Sequence, residues 1–528
     1  MKRPQNIILI LLDTHRADRL GFNGYSRNTS PNLDEYAKQA AVFDRAIAPA
    51  QWTIPSHASM FSGLPPSAHR TTQAASVLDE QFVTFAEILA QNGYETVGFC
   101  NNPLVGLIHN NLKRGFQRFY NYSGTTPDVP LDFPDSSVFP FIRFWEKIEK
   151  QVRKVVDPIQ NSFATSNFLL QAATNPLFVP LWTRFVHFKG NTARSIRDTT
   201  RFLKKKAAGK DHSPFLLFLN LMETHLPFTP PAEYKQRFAP YLAEDKKAAA
   251  FMNNFNKLAM HWLIPLKAPF KPYEAQTLSD MYDAEVAYQD HLLGELIEQL
   301  IQPSISENSL IIITADHGEM LGEHQFMGHG FGVYRELIQV PLVIHTADSA
   351  VNKRIPQPVL TTRLFHTILA AAGISQVNMV WGEVLETQPY SLINEVQALN
   401  GQTAQVSEPV VSEAYAPLDA VKMMERSEPE LIETLHTRST YRALYTSKFK
   451  LMDIEQVRAD LMTHDDAEIS AEQLSLEQQA VLIKELQAEC SQFADQYRGK
   501  MNKDWQAATA DLTNPLIEKR LHDLGYMA

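Results

Sequence analysis

Asn6-Ile-Ile-Leu-Ile-Leu-Leu-Asp13 is the stretch that decides the fold. Its six consecutive apolar residues, Ile7 to Leu12, fall well short of the roughly 18 that cross a membrane. They are also fewer than the roughly 7–15 of a signal-peptide core. A short unbroken run of Ile and Leu that stops at a carboxylate reads as a strand buried on both faces. The same signature recurs along the chain. Thr96–Cys100 leads to Asn101-Asn102, and Phe215–Leu219 leads to Asn220 and then Glu223-Thr224-His225. Leu310–Ile313 leads to Thr314, Asp316 and His317. Between these runs lie helical stretches such as Asp283–Leu300, with Val286, Leu293, Ile297 and Leu300 on one face. Buried strands alternating with amphipathic helices predict an α/β fold with a mostly parallel sheet flanked by helices. In such a sheet ligands sit beyond the carboxyl ends of the strands, where these polar residues collect.

At 528 residues the chain exceeds one ordinary domain. Residues 1–380 are expected to form the catalytic domain and 381–528 a small α+β C-terminal domain. In the latter, Pro409–Glu413 and Arg442–Leu451 read as strands, and Ala471–Tyr497 reads as a long charged helix. With 44% hydrophobic and 20% charged residues the composition is that of a globular protein, and the net charge of -10 argues against a nucleic-acid partner. The two cysteines, Cys100 and Cys490, exclude a disulfide scaffold, and together with the missing signal-peptide pattern they set the expectation of a cytoplasmic protein.

Residues 139–210 break the acidic pattern. They hold fourteen Lys/Arg against four Asp/Glu, interleaved with Phe141, Phe144, Trp145, Phe168, Phe178, Trp182, Phe185 and Phe188. Two readings are open: an inserted helical pair packing its aromatic face on the main domain, or a basic, aromatic lid over an anionic substrate or lipid headgroup. The second reading puts peripheral membrane contact at 139–189.

Three elements carry chemistry. In Trp52-Thr53-Ile54-Pro55-Ser56-His57-Ala58-Ser59, Pro55 suits a first helical turn and Thr53 lies just ahead as a candidate N-cap. A hydroxyl there faces unpaired N–H groups and the positive end of the helix dipole, which favour an alkoxide and an anion beside it. Taken alone, such a residue is more often a plain helix cap, since Ser and Thr caps are common. Asp13 is the second element, and Thr314-Ala-Asp316-His317-Gly318-Glu319 is the third. A carboxylate next to an imidazole makes half a site for a divalent metal, and Asp13 closes it if the two strands are neighbours.

Here a family resemblance becomes specific. Asn6–Gly21 resembles the opening of the sulfatase family, within the alkaline phosphatase superfamily. Thr29–Asp34, Trp52–Gly63, Leu221–Pro227, Tyr282–Val286, Thr314–His324, Gly328-His329-Gly330 and Val340-Pro341-Leu342 continue it in order, as does the tail Arg520–Tyr526. The resemblance implies an alkaline-phosphatase-like fold and a metal-dependent hydrolase or transferase for an anionic ester. It also puts Thr53 in the nucleophile's place and the metal on Asp13, Asp316 and His317. His57, His225 and His329 are then candidates to bind nonbridging oxygens or protonate the leaving group, and Asn102 to contact substrate oxygens, although a turn after the strand suits Asn102 as well.

The departures redirect the chemistry. Sulfatases usually carry Cys or Ser at the position of Thr53, matured to formylglycine. Here the usual arginine is His57, the second aspartate is Thr14, the Asp-Asn pair is Asp316-His317 and the frequent lysine is His329. A threonine sulfate lacks the C–O cleavage exit of the aldehyde hydrate, whereas a phosphothreonine is open to in-line attack at phosphorus. A phosphodiester or phosphomonoester is therefore the expected substrate class, as a small molecule or a lipid headgroup. A sulfuric ester hydrolase using unmodified Thr and an inactive anion-binding relative are the alternatives. One divalent ion is expected, Mn or Zn favoured over Ca. A second metal on Glu223, His225 and His329 lacks the Asp-x-x-x-His pattern of two-metal members. Nothing in the sequence sets the oligomeric state.

Overall fold

The computed structural model describes residues 6–106, 108–123, 189–209, 213–257, 262, 264–349, 352–379, 381–398, 409–470 and 472–498. The expectations for 139–188 and for the tail Arg520–Tyr526 lie outside the described residues. Six strands set the frame: β1 (Asn6–Leu12), β2 (Ala41–Ile47), β3 (Glu95–Cys100), β4 (Arg118–Asn121), β5 (Phe215–Leu221) and β6 (Ser309–Thr314). With Leu342–His345, Lys353–Leu360 and the short Gln339–Val340 they form one nine-stranded sheet. Its order from one edge is Lys353–Leu360, β2, Leu342–His345, β6, β1, β5, β3, β4. The pairs run parallel except those made by Leu342–His345, which lies antiparallel to both β2 and β6, and by Gln339–Val340. The expected α/β fold with a mostly parallel sheet and flanking helices is what forms.

Ile7–Leu12 is central and wholly buried, which explains why that run carries no polar residue before Asp13. Register then does the positioning. Leu11 pairs with Asn220 on one side and Thr314 on the other, and Asn220 pairs with Cys100. The four chains therefore leave the sheet at one level, so Asp13, Asp316, Asn102 and the Glu223–His225 turn emerge along a single edge.

The helix on Asp283–Leu300 begins at Pro272, eleven residues earlier than its apolar face suggests, with Glu274 bonding back to the Lys271 N–H. It packs against Thr192–Ala208, the one described helix of the basic segment. A separate antiparallel sheet follows in sequential order: Val410–Ala414, Tyr441–Tyr445, Lys450–Ile454 and Arg458–Met462. The single strand expected over Arg442–Leu451 is two strands joined at Thr446, whose hydroxyl accepts the N–H groups of Lys448 and Phe449 and closes the turn. The charged helix runs from Leu476 to Arg498, starting five residues later than expected, and buries Leu486, Cys490 and Phe493 against that sheet. Among the described residues no helix is long and apolar enough to cross a membrane.

Candidate active site

Thr53 is the first residue of the helix Thr53–Ser62, and the N-cap is Trp52. This corrects the expectation that Thr53 caps the helix: its side chain makes no capping bond, and Oγ1 lies 3.3 Å from His317 Nε2. Ser56 Oγ donates to Asp316 O at 2.7 Å, which pins this helix to the turn after β6.

That turn folds back sharply. His317 N and Thr14 N both donate to Asp316 Oδ1, at 3.0 and 3.4 Å. Gly318 is required by crowding, since a Cβ there would sit 2.1 Å from Glu336 O. His317 Nδ1 donates to Gly318 O at 2.9 Å, which leaves the lone pair on Nε2. Nε2 lies 3.5 Å from Asp316 Oδ2 and 4.0 Å from Asp13 Oδ1. Those two carboxylate oxygens are buried and have no hydrogen-bond partner. Asp13, Asp316 and His317 offer ligand atoms all within 4.8 Å of one another, the only such group of three among the described residues.

Two buried carboxylates aiming bare oxygens at an imidazole lone pair suit a cation, and they repel one another without one. Their proton affinity records this. Burial raises Asp316 to about 7, against the pull of its backbone N–H donors. Burial, reinforced by the charge of Asp316, drives Asp13 well above the carboxylate range. Burial holds His317 at about 4, keeping its ring neutral for ligation. The donor set of two carboxylates, an imidazole and an adjacent hydroxyl therefore fits a divalent metal.

The neighbouring backbone is strained to reach this arrangement. Thr14, β-branched, sits at φ 57, a conformation that costs about 1–3 kcal/mol. Tyr282 holds it there: its hydroxyl donates to Thr14 O at 2.6 Å and accepts from Arg16 N at 2.9 Å.

The other expected residues fall into two groups. His225 and His329 lie beside His317, with ring centroids 5.0 Å apart for His225–His329 and 4.7 Å for His329–His317. His57 lies elsewhere, its ring edge-on to Phe61 and Phe218. Its Nδ1 donates to Thr53 O at 2.9 Å and lies 3.5 Å from Asp316 Oδ2. Asn102, a candidate to contact substrate or to serve a turn, bonds the protein through both ends of its amide. Nδ2 donates to Asp13 Oδ2 at 2.5 Å and Oδ1 accepts from Leu104 N at 2.8 Å.

Sequence reasoning passed over Glu319, Lys189 and Glu285. Glu319 Oε1 is 3.0 Å from His329 Nδ1. Lys189 Nζ, within the basic segment, donates to Glu285 Oε1 at 2.5 Å and to Glu223 O at 2.6 Å, fastening the turn that carries His225. Thr229 N donates to the same Glu285 oxygen. Burial raises Glu285 to about 7 in spite of Lys189. Both glutamates stood in quoted motifs, Asp316-His-Gly-Glu319 and Tyr282-Asp-Ala-Glu285.

A family model described as sulfatase matches residues 5–374. YidJ of Escherichia coli (strain K12), described as an uncharacterized sulfatase, is 24% identical over 385 residues, covering 72% of this chain and 70% of its own. PehA of Trinickia caryophylli, described as a multifunctional alkaline phosphatase superfamily protein, is 24% identical over 380 residues, covering 65% of this chain and 68% of its own. Among solved structures, the phosphonate monoester hydrolase of Agrobacterium radiobacter superposes with a TM-score of 0.61 at 17% identity, covering 94% of this chain and 96% of that one. That last likeness is one of fold.

Proposed function

The chain belongs to the sulfatase family, and from that membership we propose that it opens a phosphodiester or phosphomonoester with Thr53 as the attacking group. One observation carries the reading. Thr53 Oγ1 stands 3.3 Å from His317 Nε2, next to two carboxylates whose inward oxygens no protein group satisfies. Released from capping, that hydroxyl has the site as its partner.

Asp13, Asp316 and His317 would hold the ion, Mn or Zn rather than Ca by the imidazole among the ligands. Bound there, a divalent ion supplies Lewis acidity, which lowers the pKa of a nearby hydroxyl and neutralises developing charge. Thr53 Oγ1 forms a bond to phosphorus as the bond to the leaving alcohol breaks, and water or an acceptor alcohol then attacks the same phosphorus and frees Thr53. A sulfate ester of threonine has no comparable exit, which is the argument against sulfate. We assign Nε2 of His225 and of His329 to nonbridging oxygens or to the leaving group. His57 supports from behind, steadying Thr53 through its carbonyl. Asn102 orients Asp13.

The test is to measure bound metal and then assay a chromogenic phosphodiester, phosphomonoester and sulfate ester side by side. Phosphoester turnover should exceed sulfate turnover. The opposite order sinks the substrate class, and an inert, metal-free protein favours an anion-binding relative without activity.

A further inference from the structure

The geometry points to Glu319 as a positioning residue for His329, a role that rests on the assignment of His329 to the substrate. The two residues are brought face to face by a small hairpin, Met320–Leu321 against Met327–Gly328. Its register pairs Met320 with Gly328 and Leu321 with Met327, so the next pair outward is Glu319 with His329. Their side chains meet, Oε1 to Nδ1, at 3.0 Å. Glu319 is fully buried and His329 is 6% exposed.

The hairpin is itself tied down on both sides. Arg16 donates to Glu319 O at 3.2 Å, and Gln51, two residues before Thr53, donates to Gly330 O at 3.3 Å. Glu319 is therefore fixed relative to both the metal-ligand turn and the Thr53 helix. In its ionised form Glu319 only accepts hydrogen bonds, so this contact then keeps the proton on Nδ1 of His329 and turns Nε2 to the substrate.

The three clustered imidazoles share this tautomer but are held differently. His225 and His317 donate from Nδ1 to the carbonyls of Leu226 and Gly318, each the next residue in its own chain segment. His329 alone depends on a side chain ten residues away. One substitution thus removes this contact and leaves every backbone bond in place, as expected of a carboxylate behind an active-site histidine.

A double-mutant cycle tests the role, using the metal-loaded full chain and a chromogenic phosphodiester. His329→Ala and Glu319→Leu should each lower kcat about 10- to 100-fold. In the His329→Ala background, Glu319→Leu should then cost less than about twofold. Bound metal should equal wild type throughout. Glu319→Gln, which keeps an acceptor oxygen, should recover most of the loss. If Glu319→Leu costs the same in both backgrounds, or strips the metal, positioning of His329 is refuted while the role of His329 stands. If His329→Ala is itself silent, both fall together. Should Glu319→Leu fail to fold, the ¹⁵N resonances of His329 decide the matter: a protonated Nδ1 in wild type supports the contact, and a protonated Nε2 overturns it.

Discussion

Removing the charge of Asp316 should stabilise the metal-stripped protein while abolishing its response to metal. The side chain is fully buried and its pKa is raised from 3.8 to about 7. The sign follows from proton counting. Between about pH 4 and 7 the folded state keeps a proton on Asp316 that the unfolded chain has released. Unfolding then releases protons, and stability falls as pH rises through this window. Moving from 3.8 to about 7, at about 1.4 kcal/mol for each pH unit crossed, gives a loss of about 4 kcal/mol above pH 7 relative to pH 4. Asp13 contributes with the same sign. Denaturant titration of chelator-treated protein at pH 5 and pH 8 reads this directly. Wild type should be weaker at pH 8, Asp316→Asn should lose part of that difference while Asp13 keeps the rest, and added Mn or Zn should stabilise wild type but not the variant. A metal-stripped wild type as stable at pH 8 as at pH 5, with the variant matching it, would refute the reasoning.

Asn102→Ala should weaken metal binding about 10- to 100-fold, read by competition with a chelating dye, because Asp13 loses the amide that aims it. Lys189→Met should cost about 3–5 kcal/mol in chemical denaturation by stranding the buried Glu285 carboxylate. The double variant Lys189→Met/Glu285→Leu should recover much of that loss, since an apolar pair replaces the ionic one.

The sheet and the metal half-site were legible because both depend on local pattern. An unbroken apolar run ending in Asp13, and another ending near Asp316-His317, announce central strands and their polar edge. Neighbouring β1 and β6, 303 residues apart at Leu11 and Thr314 by their numbers, follow from strand pairing that leaves no trace in either run. The antiparallel Leu342–His345 between β2 and β6 is hidden for the same reason. The start of the long helix was missed because Tyr273–Tyr282 buries Asp280 as well as Met281, which blurs the apolar stripe. The duty of Asn102 could not be read, since an asparagine after a strand serves a turn, a ligand or a substrate alike. Glu319 was visible as a residue but not as a partner of His329, because their contact depends on a hairpin of two residues per strand, too short for any alternation to show.

The most direct measurement is phosphodiester turnover by Thr53→Ala and Thr53→Ser at matched metal content. Loss of the attacking oxygen should lower kcat at least about a thousandfold, with serine retaining measurable turnover and the bound metal unchanged in both. Thr53→Ala turning over phosphodiester within tenfold of wild type would contradict the assignment of Thr53 as the nucleophile.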